Sequence, residues 1–292
     1  MPTITGGFAN RKVWLITGTS SGLGRCLTLT ALLRGDSVIA TARDVEKIED
    51  LRMAGAYTMQ LDVRDEFSVI QRKAMEAIEV YGRIDVVVNN AGYGMFGALE
   101  EVGADGFMEQ YKTNVFGVIN VTHAFLPHMR HRGNGTIVVI GSRSGWKTQS
   151  ALVGPYGSSK AAVHAIAESL IEEMRPFGIR VLLVQPGGFR TEMITNSELK
   201  PGSMVRPDYL PYHASCAKIL AGAHGCQPGD PQKAVDVIAD VVRGEGCATG
   251  KSWPDVLVLG EDAQHDIRLK CQQVLQRLDD VEWRDIGRGV AV

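Results

Sequence analysis

Six times along the chain a short apolar run gives way to a longer segment of helical periodicity, and this alternation limits the fold more than any other feature. Residues 13–16, 37–42, 57–63, 84–88, 136–140 and 179–184 read as strands. Between them, segments such as 66–80 place Phe67, Ile70, Ala74, Ala77 and Ile78 at the three- and four-residue intervals of a helix face. Runs that are apolar on both sides suit strands covered on both faces. The pattern therefore predicts an α/β chain: a single-domain doubly wound parallel sheet with helices on both faces, over residues 1–292. A helix from 231 to 242, a last strand at 256–259, and a C-terminal helix and tail over 261–292 complete the expectation.

The first strand ends at Thr17-Gly18, followed by Thr19-Ser20-Ser21-Gly22-Leu23-Gly24 and a helix-like stretch. Strand, glycine turn and helix present backbone N–H groups and a positive helix end to a phosphate. The spacing is G-x-x-x-G-x-G, not the G-x-G-x-x-G of the dinucleotide fingerprint. The second strand ends Thr41-Ala42-Arg43, without the acid that would take a ribose 2′-hydroxyl. A guanidinium suits a 2′-phosphate, so NADP(H) is favoured over NAD(H). The plainer alternative is a solvated arginine beside Asp44. Asp62 closes the third strand, where it can meet an adenine amino group or cap the next helix. Asn89-Asn90-Ala91-Gly92 closes the fourth, where amides bind backbone as readily as ligand.

Tyr156 and Lys160 stand four residues apart in a helical stretch, so phenol and ammonium share a face. Two unit charges about 4 Å apart are worth roughly 4 kcal/mol at an effective dielectric near 20. That would lower a phenol from pKa 10 by roughly three units, towards the range where general acid–base catalysis works best. Ser142, at the end of the fifth strand, can bond a substrate oxygen or simply serve its turn. Asn114 interrupts the apolar stripe of 104–131 as a polar group in need of partners or part of a proton path.

A net charge of −2 and a pI near 6.4 give no footprint for nucleic acid or an anionic membrane surface. No run of about 18 apolar residues marks a membrane span. Five scattered cysteines without metal-ligand spacing fit free thiols in a reducing compartment, and no metal is implied. A cytoplasmic enzyme with a small-molecule partner is expected. Between 192 and 229 the periodicity fades, and Met193, Met204, Val205, Tyr209, Leu210, Tyr212 and Leu220 would form an apolar lid.

Taken in order, these motifs resemble the short-chain dehydrogenase/reductase family over roughly residues 10–260. The matching residues are Thr17-Gly18-x-x-x-Gly22-x-Gly24, Asp62-Val63, Asn89-Asn90-Ala91-Gly92, Asn114, Ser142, Tyr156-x-x-x-Lys160 and Pro186-Gly187 with Thr191. The resemblance implies a Rossmann-like fold and four catalytic residues. Tyr156 is the proton donor or acceptor and Ser142 holds the substrate oxygen. Lys160 binds the nicotinamide ribose and lowers the phenol's pKa, and Asn114 supports a water linking Lys160 to solvent. It further implies a cofactor site of Gly18, Ser20, Gly22, Leu23, Gly24, Thr41, Arg43, Asp62, Asn90, Gly92, Tyr156, Lys160, Phe189 and Thr191, with Phe189 offering its backbone N–H to the carboxamide.

Two departures stand out. Ser142 lies fourteen residues before Tyr156, one more than the family pattern, which keeps Ser144 as a lesser candidate. Phe189 stands where a β-branched residue is common. The Thr-Ala-Arg ending and the long segment after Thr191 resemble the branch of 17β-hydroxysteroid and retinol dehydrogenases, which suggests bulky apolar ketones or alcohols. A non-catalytic NADP(H) sensor or scaffold of the same fold is the alternative, disfavoured by the full set Asn114, Ser142, Tyr156 and Lys160. Nothing marks the nucleotide-sugar site of an epimerase or dehydratase. The stripes at 104–131 and 156–174 resemble those through which family members form homo-oligomers, though core packing explains them equally.

Overall fold

The computed structural model describes residues 11–147, 149–195, 197–199, 206–223 and 225–280. Met204 and Val205 of the expected lid and the expected tail from 281 lie outside them.

Seven strands form one sheet: β1 (Val13–Ile16), β2 (Ser37–Ala42), β3 (Tyr57–Gln60), β4 (Val86–Asn89), β6 (Gly135–Ile140), β7 (Ile179–Pro186) and β9 (Val256–Leu259). Their order is β3-β2-β1-β4-β6-β7-β9 and every pairing is parallel. Every residue of β1, β2, β4 and β6 is buried, as strands covered on both faces require.

Successive side chains point to opposite faces and feed two cores. Leu15, Ile39, Val87 and Ile137 pack under α3 (Phe67–Tyr81), α5 (Gly117–Arg132) and α6 (Gly154–Met174). Trp14, Val38, Val86 and Val138 pack under α1 (Gly22–Leu33), the short α2 (Glu49–Met53) and α8 (Pro231–Arg243). Each such large side chain contributes about 1.5–3 kcal/mol of burial. The strand order reverses between β1 and β4, and a crevice opens beyond the carboxyl ends of strands at such a switch point. The loops after β1, β2, β3, β4, β6 and β7 all reach that edge.

The stripe expected to form one helix over 104–131 is broken. Helix α4 (Leu99–Tyr111) carries Gly103 at φ 60°, outside helical geometry, and Lys112–Phe116 make a π-helical turn before α5. Asn114 sits in that turn, and such insertions commonly mark functional positions.

The fading segment after 192 also differs, because it contains helix α7 (Leu210–Ala223). Leu210, Tyr212 and Ile219 are exposed, so α7 has no core-facing stripe to read. It is seated instead by polar bonds. His213 Nε2 and Glu101 Oε2 lie 2.7 Å apart, and Tyr209 donates to Glu100. A two-strand pair, β5 (Met95–Phe96) with β8 (Glu198–Leu199), joins the same segment to the loop before α4. The chain closes with α9 (Glu261–Leu278).

Among the described residues no helix is long and apolar enough to cross a membrane, and no group of side chains could hold a metal ion.

Candidate active site

The glycine turn is held by the loop after β4. Thr17 Oγ1 accepts the N–H groups of Asn90 and Ala91, both at 3.0 Å. Asn90 Nδ2 in turn donates to the carbonyls of Thr17 (2.8 Å) and Gly18 (3.0 Å). Gly18 has φ +69°, and a Cβ there would stand 2.8 Å from Ala91 Cα. On Gly24 it would stand 2.3 Å from Asn90 Nδ2, so no side chain fits. The Asn90 amide nitrogen is taken by the turn, which is the backbone half of the role expected of it, and the buried Thr41 hydroxyl donates to Ile16 O at 3.1 Å.

The Gly22 N–H, at the start of α1, donates to the Glu192 carboxylate at 3.1 Å. An anionic oxygen already satisfies this helix end, and a dinucleotide phosphate offers the same chemistry. Thr191 lies beside Gly22, its side chain 3.5 Å from where a Cβ would be, while Ser20 is exposed on the turn and Leu23 is half-buried towards the core. The residues present therefore fit a nicotinamide dinucleotide.

Arg43 is exposed at the end of β2 and forms no ion pair among the described residues. Asp62 is engaged by Arg64, through the backbone N–H at 3.0 Å and Nη2 at 2.7 Å. It does not cap α3, whose N-cap is Glu66. Burial pushes the Asp62 carboxyl up, but the bonds from Arg64 and the charge of Arg43 leave it below its ordinary value. Arg64 was legible only as a cation two residues past a strand-end acid.

Ser142, Tyr156 and Lys160 come together, each less than a tenth exposed. Ser142 Oγ accepts the Ser144 N–H at 3.1 Å. The Ser142 hydroxyl lies near enough to the Tyr156 phenol to favour its ionised form. Met193 Sδ lies 3.9 Å from the phenol oxygen, and the Phe96 ring 6.0 Å from the Tyr156 ring.

Burial pushes the Tyr156 phenol up to about 12, against the opposing Ser142 hydroxyl and the charge of Arg143. The expected lowering by Lys160 is absent. The Lys160 ammonium donates to Ile140 O at 2.7 Å, and burial brings it down to about 8. Desolvation outweighs the influences of Ser142 and Arg143 on the phenol.

Asn114, 1% exposed, donates to Tyr93 O and Ser159 Oγ, both at 3.0 Å, and accepts the Tyr93 N–H at 3.2 Å. Its side chain thus ties the loop after β4 to α6. Gly92 adjoins both ends of this pair: a Cβ there would lie 3.2 Å from Asn114 Oδ1 and 3.7 Å from Lys160 Nζ.

Sequence reasoning missed two supports. His164 Nε2 accepts the Ser142 N–H at 3.2 Å. Its signal was the continuation of the four-residue spacing from Tyr156 through Lys160. The other support is α9. Asp262 Oδ2 accepts the Gly188 N–H at 2.7 Å and pairs with Arg143 at 2.9 Å, while Asp266 pairs with Arg143 and Lys147. No local pattern announces partners 74 to 123 residues apart. On the same loop Phe189 bridges to Gly229, and Thr191 donates its N–H to Phe189 O at 2.9 Å.

A crevice of this build, with an anion-ready turn at one end and a hydroxyl pair over a buried amine at the other, defines the class of nicotinamide-dependent oxidoreductases. The chain belongs to the short chain dehydrogenase family, whose profile matches residues 12–201. It is 40% identical over 239 residues to the "Uncharacterized oxidoreductase YusZ" of Bacillus subtilis, covering 78% of this chain and 84% of that one. It is 33% identical to human "Retinol dehydrogenase 8", over 78% of this chain and 76% of that one. The crystal structure of a short-chain dehydrogenase from Streptomyces avermitilis superposes with a TM-score of 0.83 at 35% identity, covering 96% and 98% of the two chains.

Proposed function

We propose that the protein is an NADP(H)-dependent carbonyl reductase or alcohol dehydrogenase acting on a bulky apolar ketone or secondary alcohol. The observation that carries this reading is the Ser142–Tyr156 hydroxyl pair, buried beside Lys160 and within reach of the glycine turn's crevice. Gly18, Gly22 and Gly24 with the start of α1 would hold the pyrophosphate, Arg43 the 2′-phosphate, and Phe189 and Thr191 the nicotinamide end. When bound, the cofactor supplies or accepts the hydride.

The chain's own residues handle the substrate oxygen. Ser142 donates a hydrogen bond to it, favouring the negative charge that develops there. Tyr156, protonated at neutral pH because burial holds it at about 12, gives its proton to the same oxygen. The Lys160 ammonium, one turn along α6, offsets the phenolate left behind. Met193 and Phe96 keep water from the phenol. Oxidation follows the same path in reverse.

The substrate class is supported by a recess of about 300 Å³ lined by Ala98, Leu99, Ala151, Leu152, Tyr209 and Tyr212, none of them charged. Leu152 adopts φ 67°, a strained conformation for a branched residue, and its carbonyl accepts the Gly97 N–H at 2.8 Å. An apolar furrow between α5 and α6, lined by Val118, Ile119, Leu126, Val163, Ile166 and Leu170, supports a homo-oligomer contact. The five free thiols fit a reducing, cytoplasmic setting.

The test is NADPH consumption with a panel of hydrophobic ketones, for the parent and for Tyr156→Phe. The variant should bind NADPH as the parent does and lose about 10²- to 10⁴-fold in turnover. Undiminished turnover, or no turnover by the parent on any ketone, contradicts the reading.

A further inference from the structure

His164 lies one helical turn beyond Lys160 on α6, and the loop that carries Ser142 is folded around its ring. The side chain is 5% exposed, and its Nε2 accepts the Ser142 N–H at 3.2 Å. A Cβ on Gly141 would stand 2.5 Å from that nitrogen, and one on Gly145 2.6 Å from Cε1. Only glycine lets the backbone close on the imidazole from both sides. The Trp146 ring, 6.4 Å away and tilted, covers it further. Sheet pairing ends just before this point. The Gly141 N–H still reaches Val184 O at 2.7 Å, but the next N–H, that of buried Ser142, has turned away to the imidazole.

We propose that His164 is a positioning residue: by accepting the Ser142 N–H it fixes the backbone there and so aims the Ser142 hydroxyl at the Tyr156 phenol. The proposal rests on the reductase reading given above. Acceptance at Nε2 requires a neutral ring with its hydrogen on Nδ1. Burial, and then the charge of Lys160, bring the imidazole down to about 4, so it is neutral at physiological pH. Arg143 and Lys147, the cations on the surrounding loop, are paired with Asp262 and Asp266. What the site needs is an acceptor at the reach of Nε2. Glutamine supplies one in its Oε1, whereas leucine fills the space and supplies none.

The experiment compares His164→Leu and His164→Gln with the parent for thermal unfolding, NADPH binding, kcat and KM. Both variants should fold and bind NADPH. Leucine should lower kcat by about 10²-fold, the scale of a displaced catalytic group, with KM changed far less. Glutamine should restore most of that loss. Nitrogen NMR of the parent's imidazole gives a readout free of turnover: at neutral pH Nε2 should be bare and Nδ1 protonated. Leucine and glutamine variants that are equally slow, a leucine variant as fast as the parent, or the opposite tautomer would each overturn the proposal. A parent that reduces no ketone, yet shows the expected tautomer, overturns the reductase reading and the positioning role with it, and leaves the hydrogen bond standing.

Discussion

Met193 Sδ faces the hydroxyl of Tyr156 at 3.9 Å, which brings the segment after β7 onto the phenol itself. Replacing Met193 with alanine should admit water. Because burial is the largest influence holding the phenol at about 12, its pKa should fall by about one unit in Met193→Ala. Ultraviolet titration of tyrosinate, with Tyr156→Phe as the blank, checks this. An unmoved titration would mean that burial by Met193 is not the cause.

Lys160 gives a second pH signature. Its ammonium is present below about 8 and lost as pH rises through that value. Turnover in the reductive direction should therefore decline on the alkaline side of about 8. In Lys160→Arg, whose guanidinium keeps its proton, whatever activity remains should lack that decline.

Arg43 sets the choice between cofactors if the 2′-phosphate rests on it. A hydrogen bond to a charged group is worth about 1.5–3 kcal/mol, so Arg43→Glu should weaken NADPH binding by at least about 10-fold. NADH binding should change little. Calorimetric titration with both cofactors decides the matter, and an equal loss for both would remove the assignment.

His164 also links stability to acidity. Its folded-state pKa, about 4, lies below the ordinary value of 6.5, so the unfolded chain takes up the proton first. The corresponding stability is complete above about pH 6.5 and is lost as pH falls towards about 4, amounting to about 3 kcal/mol. Urea unfolding of the parent and of His164→Gln across this range should show the glutamine variant losing less. Parallel curves would contradict it.

The sheet was legible because runs such as Val86-Val87-Val88 are apolar on both faces, as strands covered on both sides require. The Tyr156–Lys160 pair was legible because helical spacing alone puts both on one side. What Lys160 touches was not. The Ile140 carbonyl is available only because β6 ends beside α6, a matter of tertiary placement. The same holds for Thr41 and Asn90, whose polar groups are equally suited to a ligand or to backbone until the turn is folded around them. Asn114 looked like a defect in one long helix, and the π-helical turn that accommodates it leaves no trace in residue periodicity.

Helix α9 gears the two rims of the crevice together. Through Asp262 it grips Gly188 on one rim and Arg143 on the other, and Asp266 adds a second hold on Arg143. Neither rim can swing outward without breaking its bond to that carboxylate or dragging the helix along. A change late in the chain thus reaches both sides of the opening at once.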